Sequence, residues 1–425
     1  MKKIVQPVKS GLRGEITIPA DKSISHRAVM FSSIAKGKSV IKNFSSGEDP
    51  HSSLKVFKAM GVQAEFKDKS TLIINSSGKL TAPLVPIDCG NSGTTMRLAA
   101  GMLAGQNFNS VLTGDTSLSK RPMKRIIEPL ELMGAKISST DNHAPLEIYG
   151  KSLTGINYVS KLASAQVKSC ILLAGLFADG KTTFTEPFLS RNHTEIMLKY
   201  MGANISAVNT STTIQKSVLT PETLEICGDI SSAAYFIAAG LTVPNSNIIV
   251  KNTGLNPTRT GILDVIEKMG GNIRILDKKK LSGEDAGDIQ ITTSELKGCT
   301  IDGDMIPRLI DELPVIAVIA TQAQGETIVK GAGDLRNKES DRIKTTVNEL
   351  KKIGAGIEEN DDGFIIYGKT RLKGGCTVET YQDHRLAMSL YAAGLICEKP
   401  IEINGFEWTN ISFPEFENHF SRLVK

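Results

Sequence analysis

Tryptophan is nearly missing. The 425-residue chain has one, Trp408, and aromatic residues make up only 5% of it. A stacking platform for single-stranded nucleic acid needs several rings, so the composition argues against that class of function. An excess of one charge is missing as well: 50 Lys and Arg stand against 45 Asp and Glu, a net charge of +5. That is too little for a nucleic-acid coat, yet it suits an anionic small molecule if the positive charge is concentrated in one place. The six cysteines, Cys89, Cys170, Cys227, Cys299, Cys376 and Cys397, form no CxxC pair and are irregularly spaced. The pattern fits reduced, mostly buried thiols better than a disulfide framework or a zinc site. The longest apolar run, 313–320, falls far short of the roughly 20 residues that a membrane span needs. The opening MKKIVQPVKSGLRGE carries basic residues but no apolar stretch of the secretory kind. The expected compartment is the cytoplasm, or an organelle if a longer precursor precedes this chain.

Familiar catalytic signatures are also lacking. The six histidines show no HExxH or other paired spacing, so no catalytic metal is indicated, and there is no GxSxG elbow. Residues 175–182, GLFADGKT, satisfy the spacing of a phosphate-binding P-loop. Such a loop must follow a strand and open a helix, whereas here an apolar helical stretch precedes the match and the strand-like TTFTE follows it.

What the chain has is an internal repeat. With 40% apolar and 22% charged residues it can pack a core, and its length suggests two to three domains at about 150 residues each. Six segments share a small or apolar helical stretch, a turn and a β-branched run. They begin at Ser25 (SHRAVMFSSIAKGKSVIKN), Gly93 (GTTMRLAAGMLAGQNFNSVLTG), Ala165, Ser231, Asp311 and Asp383, about 70 residues apart. A second series follows in step. LKVFKAMG, IIEPLELMG, IMLKYMG, ILDVIEKMG and VNELKKIG each read as an amphipathic helix closed by a glycine, at Gly61, Gly134, Gly202, Gly270 and Gly354. The sixth copy is the C-terminal FPEFENHFSRLVK, with no strand after it. The N-terminal KIVQPVKSGLRGEITIP reads as two strands and can supply the missing one. Helix-then-strand order repeated six times predicts an α/β or α+β protein divided three plus three. One domain is then built from both termini, 1–15 plus 229–425, and the other from 16–228.

Reactive residue types gather where these helices begin. Asp21, Lys22, Ser23 and Arg27 open the first; Asn91, Ser92 and Gly93 the second; Ser164 and Gln166 the third; Asp311 and Glu312 the fifth; Asp383, His384 and Arg385 the sixth. Serine, aspartate and asparagine are ordinary helix caps. Capping does not explain Lys22, Arg27 or Arg385, because cations are disfavoured at the positive end of a helix unless they share an anion there. The loops before the second-series helices add Asp49, the run GDTSLSKRP with Arg121, Ser190-Arg191-Asn192-His193, Asn256 to Arg259, and DLRNKESDR. That last run holds Arg336, Lys338, Glu339, Asp341 and Arg342 within seven residues. A charge run is usually a solvated face; its recurrence beside helix starts points here to function.

At DKSISHR, GNSGTTMR, GDTSLSKRPM, SAQVKS, GDISSAA, LIDELPV, NKESDR and QDHR the sequence resembles the 5-enolpyruvylshikimate-3-phosphate synthase family, from near residue 10 to Phe413-Pro414. SLSKRPM and the 191–195 stretch RNHTE look more like the branch called class II. The resemblance implies two similar domains, each of three βαβαββ units, in an inside-out α/β barrel, with substrate in the cleft between them. It implies transfer of the enolpyruvyl group of phosphoenolpyruvate to the 5-hydroxyl of shikimate 3-phosphate, releasing phosphate, in the pathway to chorismate and the aromatic amino acids. No metal or organic cofactor is implied. The expected partners are these two substrates, without nucleic acid or membrane, and the chain is expected to act as a monomer.

Carried over by motif position, Lys22, Ser23, Arg27, Ser164, Gln166 and Lys338 are expected to hold shikimate 3-phosphate, with Ser190 and Arg191 at the same phosphate or ring. Lys22, Gly93, Arg121, Gln166, Arg342 and Arg385 are expected around phosphoenolpyruvate. Asp311 is the implied proton acceptor from the 5-hydroxyl and also contacts shikimate 3-phosphate; Glu339 is the implied proton donor to the methylene carbon, and Lys22 joins the catalytic set. Two positions depart from one family branch: Ile411 stands in the C-terminal loop where that branch has a Lys, and Asp334 where it has an Asn. The related UDP-N-acetylglucosamine enolpyruvyl transferases normally carry Lys-Asn in place of Lys22-Ser23. They also have a reactive Cys in the loop that is here 115–120, which has none. A non-catalytic phosphate- or RNA-end-binding protein on similar repeats would not need carboxylates at both Asp311 and Glu339.

Overall fold

The computed structural model describes residues 1–424. Both helix series are present. The first comprises Lys22–Ser32, Gly93–Ala104, Ala165–Gly175, Ile230–Thr242, Leu313–Thr321 and His384–Gly394. The second comprises Glu48–Ala59, Lys124–Leu132, His193–Tyr200, Gly261–Lys268, Arg342–Lys352 and Phe416–Leu423. The closing glycines do what the pattern requires. Gly61, Gly134, Gly202, Gly270 and Gly354 all lie at φ between +76° and +104°, the left-handed region in which a Cβ is strained.

Each repeat builds a small sheet. Ile87–Asp88 runs parallel to Asn109–Thr113, which pairs antiparallel with His143–Tyr149, itself antiparallel to Lys136–Thr140. With the two helices this is a βαβαββ unit. Two further repeats reproduce it from their own strands, around Lys181–Thr185 and around Gly325–Val329. Two strands are exchanged. Arg13–Thr17 precedes the helix Lys22–Ser32 in the chain but pairs parallel with Asn247–Gly254. Thr223–Glu225 precedes Ile230–Thr242 but pairs parallel with Gly37–Lys42. The sixth repeat is completed by Lys2–Val5, antiparallel to Ile401–Asn404.

Two compact units result. The terminal unit holds Met1–Pro19, Cys227–Lys279 and the chain from Asp285 onward; the central unit holds Ala20–Ile226 and Lys280–Glu284. In each, the first-series helices are interior and the sheets lie outside. Leu313–Thr321 and His384–Gly394 are buried along their whole length, and they pack on each other and on Ile230–Thr242. Their small and apolar residues on every face are what an interior helix needs. In the central unit, Gly93–Ala104 packs closely on Ala165–Gly175. A Cβ at Gly101 would lie 2.2 Å from the Cys170 carbonyl oxygen, so only glycine allows that approach. The scarce aromatics are concentrated where the C-terminal helix docks: Phe420 stacks on Phe236 at 4.2 Å, and Phe416 meets Tyr235, Tyr391 and Phe413 edge-on. The functional side chains sit at or just before the N-termini of these interior helices.

Candidate active site

In the central unit three helix starts carry the predicted residues. Asp21 caps Lys22–Ser32 by accepting from Ile24 N at 2.8 Å, and Lys22 pairs with Asp49 at 2.9 Å. Ser92 caps Gly93–Ala104 through Thr95 N. Ser164 precedes Ala165–Gly175 but makes no capping bond. Its hydroxyl, like those of Ser23 and Ser190, bonds to no described residue; that of Ser190 is buried. These three serines carry unspent donors, whereas Asp21 and Ser92 are spent as caps.

Gly93 sits beneath two guanidinium groups. A Cβ there would lie 2.8 Å from Arg97 Nη1 and 3.5 Å from Arg121 Nη1. Arg97 donates to Gln166 Oε1 at 2.7 Å, and Gln166 Nε2 donates to Thr94 Oγ1 at 3.0 Å, so the Gln166 amide is oriented by its neighbours. Arg121 donates to Asn91 Oδ1 at 3.0 Å, and Asn91 in turn donates to Asp115 at 2.7 Å, tying GDTSLSKRP to GNSG. The structure therefore brings Gly93, Arg121 and Gln166 together. It adds Arg97, the last residue of the GNSGTTMR motif, to which the sequence alone gives no role.

Arg27 is buried, and burial pulls its pKa down to about 10 against the opposing effect of Glu195 and Asp21. It donates to Thr194 Oγ1 at 2.7 Å, to the Ser23 carbonyl at 2.8 Å and to Ser169 Oγ at 2.8 Å, leaving two of its five N–H groups. Next to it Lys168, 1% exposed, lies 2.8 Å from both Glu186 and Glu195, and donates to the Ser190 carbonyl at 3.1 Å. This buried triad holds the loop that presents Ser190 and Arg191. Nothing in the sequence separated Lys168 from the other lysines.

His26, inside DKSISHR, is structural. Its Nδ1 is 2.7 Å from Ser53 Oγ, which bonds Thr95 Oγ1 at 2.8 Å, linking two helix starts. Complete burial lowers its pKa to about 3, with Asp49 opposing. An unfolded histidine titrates near 6.5, so between that value and about 3 the unfolded chain binds the proton that the folded one refuses. Stability from this group is full above 6.5 and falls as the pH drops, by roughly 1.4 kcal/mol per unit. His26→Gln is expected to flatten the acid side of the stability curve between pH 6.5 and 5 in urea unfolding; an unchanged slope would show that His26 is not the group responsible.

The terminal unit carries the other predicted residues in one ionic cluster. Arg342, 1% exposed, donates to Asp383 through Nε at 2.7 Å and Nη2 at 3.3 Å, to Asp311 through Nη1 at 3.1 Å and to Glu339 through Nη2 at 2.5 Å. Burial works against its charge, but Asp383, Glu339 and Asp311 outweigh burial and hold its pKa above the usual value. Asp383 also caps His384–Gly394 through Arg385 N at 2.9 Å. Lys338 Nζ lies 3.5 Å from Asp311 Oδ1. Arg385, 7% exposed, is different. Its guanidinium lies 3.9 Å from Asp311 and 3.7 Å from Glu312 and makes no hydrogen bond to any described residue. Burial opposes its charge, and Asp311, Tyr235 and Glu312 together hold its pKa well above the ordinary range.

The charge run 336–342 separates cleanly. Arg336 is a strut that bonds Asp341, Glu359 and two carbonyls of the 360–361 turn, while Lys338 and Arg342 turn to Asp311 and Glu339 accepts from Arg342. GLFADGKT lies between the helix Ala165–Gly175 and the strand Lys181–Thr185, the reverse of a nucleotide loop. Ile411 ends the 3-10 helix Phe406–Ile411.

A family model described as EPSP synthase (3-phosphoshikimate 1-carboxyvinyltransferase) matches residues 7–420. The chain belongs to the EPSP synthase family. It is 51% identical to the 3-phosphoshikimate 1-carboxyvinyltransferase of Bacillus subtilis over 421 residues, covering 97% of this chain and 98% of the relative. It is 48% identical to that of Petrotoga mobilis, covering 100% and 99%. The structure of EPSP synthase from Acinetobacter baumannii superimposes with a TM-score of 0.90 at 40% identity, covering 100% of this chain and 98% of that one. An enolpyruvyl transferase from Streptomyces tendae, 16% identical, shares the fold with a TM-score of 0.81, covering 99% and 97%. Among the described residues no helix is long and apolar enough to cross a membrane.

Proposed function

We propose that the two clusters perform 3-phosphoshikimate 1-carboxyvinyl transfer: phosphoenolpyruvate gives its enolpyruvyl group to the 5-hydroxyl of shikimate 3-phosphate and phosphate leaves. The observation that carries the assignment of roles is the Arg385 guanidinium, buried beside Asp311 with none of its donors hydrogen-bonded. A buried cation left in that state is built for an anion that arrives later.

Lys22, Ser23, Arg27, Ser164, Gln166, Ser190, Arg191 and Lys338 take shikimate 3-phosphate; the three unspent serine hydroxyls support that reading. Lys22, Gly93, Arg121, Gln166, Arg342 and Arg385 take phosphoenolpyruvate. The bond from Arg121 to Asn91 goes to a neutral oxygen and is readily exchanged for a charged one. Asp311 accepts the 5-hydroxyl proton as the oxygen bonds to the substituted enol carbon. Glu339 delivers a proton to the methylene carbon, which becomes a methyl group. The tetrahedral intermediate then returns a proton from that methyl group to Glu339 as its C–O bond to phosphate breaks, and the leaving phosphate takes up the proton that Asp311 accepted. Arg342 has committed donors to three carboxylates and keeps one N–H, so its main work is to hold Asp311 and Glu339 in place. The cytoplasm belongs to the same reading, supported by small, soluble, phosphorylated substrates, and a monomeric state is proposed with it.

The test is phosphate release from phosphoenolpyruvate with shikimate 3-phosphate as sole acceptor. Release that depends on that acceptor is expected; release with UDP-N-acetylglucosamine instead would overturn the reading. Arg121→Ala and Arg385→Ala are each expected to weaken phosphoenolpyruvate by on the order of 2–5 kcal/mol and shikimate 3-phosphate by much less, since each removes a charge-assisted, partly desolvated contact. Equal losses for both ligands in direct titrations would move these arginines to the other substrate.

A further inference from the structure

Glu312 follows Asp311 on the 3-10 turn Ile310–Glu312 and has no part in the reaction as read above. Its side chain is nevertheless completely closed off, where that of Asp311 keeps 10% of its surface. A carboxylate buried that deeply must be matched by partners. Ser231 donates its hydroxyl proton to Oε1. Arg259 approaches with Nη2 at 3.4 Å from Oε1 and Nη1 at 3.5 Å from Oε2, and donates to Ser231 Oγ at 2.5 Å. Asp229 lies 3.8 Å from the same Nη2 of Arg259.

The Glu312 oxygen that accepts from Ser231 also faces Arg385. Nη1 of Arg385 is 3.7 Å from Glu312 Oε1, and Nη2 is 3.9 Å from Asp311 Oδ2. Two consecutive carboxylates thus share one guanidinium at almost equal distances, both beyond hydrogen-bond reach. A cation between two like anions rests between them; if one anion is neutralised, the other draws the cation in. A guanidinium closed onto Asp311 would occupy the proposed base and withdraw its own donors from the anion.

We infer that Glu312, braced by Arg259 and Ser231, is a positioning residue that balances Asp311 for Arg385 and keeps both available to the substrates. The inference rests on the roles given to Arg385 and Asp311 above.

Four variants test it, each assayed for kcat, for KM of both substrates and for Tm. Glu312→Gln keeps the shape and can still accept from Ser231 but loses the charge. Its kcat is expected to fall about tenfold, with KM for shikimate 3-phosphate within about twofold of wild type. Glu312→Asp keeps the charge and is expected to recover at least about a third of wild-type kcat. Arg259→Met acts in the opposite sense: Glu312, deprived of its brace, draws Arg385 away from the anion. KM for phosphoenolpyruvate should then rise about tenfold, with saturated kcat within about threefold of wild type. Glu312→Gln at wild-type kcat would overturn the inference, as would equal kcat losses in the Gln and Asp variants accompanied by equal falls in Tm, the signature of a merely structural group. Arg385→Ala separates the two levels. If it leaves phosphoenolpyruvate binding intact, the role of Arg385 is wrong; if it weakens binding while Glu312→Gln and Arg259→Met change nothing, only the balance is wrong.

Discussion

Asp311→Asn is expected to fold as the wild type, to bind shikimate 3-phosphate, and to lose roughly 10²–10⁴-fold in kcat, the usual contribution of a general base. Aspartate at a helix start is ordinarily a cap, and asparagine caps as well as aspartate does. The helix Leu313–Thr321 instead has Glu312 at its N-cap position, with no side-chain bond there. The Asp311 carboxylate is directed at cations: Arg342 at 3.1 Å, Lys338 at 3.5 Å and Arg385 at 3.9 Å. Asparagine keeps the volume and one acceptor oxygen, so the stability cost is about 1–2 kcal/mol. It cannot take the hydroxyl proton. Single-turnover and steady-state rates, with ligand titration as the control for folding, decide the matter. If Asp311→Asn keeps more than about a tenth of wild-type kcat, the base lies elsewhere.

Much of the architecture is written in the sequence because it repeats. Twelve helices could be placed from two patterns in step, and five of them end at glycines whose left-handed backbone explains the residue. The exchange of Arg13–Thr17 and Thr223–Glu225 between sheets was not legible. A strand of that length carries the same alternation whichever parallel neighbour it joins, so pattern alone does not choose the partner. The site was legible to the extent that it departs from helix-capping rules: Lys22, Arg27 and Arg385 stand out because a cation at a helix N-terminus needs a reason. The groups that sequence reasoning left without a role, Lys168, Arg97, Arg259 and Glu312, lie within helices, in a loop already rich in polar residues, or beside a more conspicuous neighbour. Their importance comes from burial and from partners distant in the chain: Lys168 from Glu186, Arg259 from Ser231 and Glu312. The stretch 336–342 shows both outcomes, since Arg336 is a strut and Arg342 a hub, although nothing in their spacing distinguishes them.

That hub sets the second large effect. Arg342→Met is expected to destabilise the terminal unit by about 3–5 kcal/mol, the cost of breaking a buried ionic group by removing one partner. Methionine fills much of the volume, so the loss is electrostatic in origin. Asp383 is fully buried and receives two bonds from Arg342; Asp311 and Glu339 receive one each. Without the guanidinium, three carboxylates face one another with Lys338 and Arg385, both beside Asp311, as the remaining cations. The pH dependence identifies the cause. Burial pushes the Asp383 pKa up, but the charge and hydrogen bonds of Arg342, with His384, together hold it below the ordinary 3.8. A group whose folded pKa is depressed contributes stability that is present above its unfolded value and lost as the pH falls through the folded one. The gap between wild type and Arg342→Met should therefore be widest near neutrality and shrink as the pH falls towards about 4, because in the variant burial raises the Asp383 pKa unopposed by Arg342 and Asp383 takes up a proton first. Urea unfolding at pH 7 and at pH 4 measures both. A variant within about 1 kcal/mol of wild type at pH 7 would mean that solvent, not Arg342, neutralises these carboxylates.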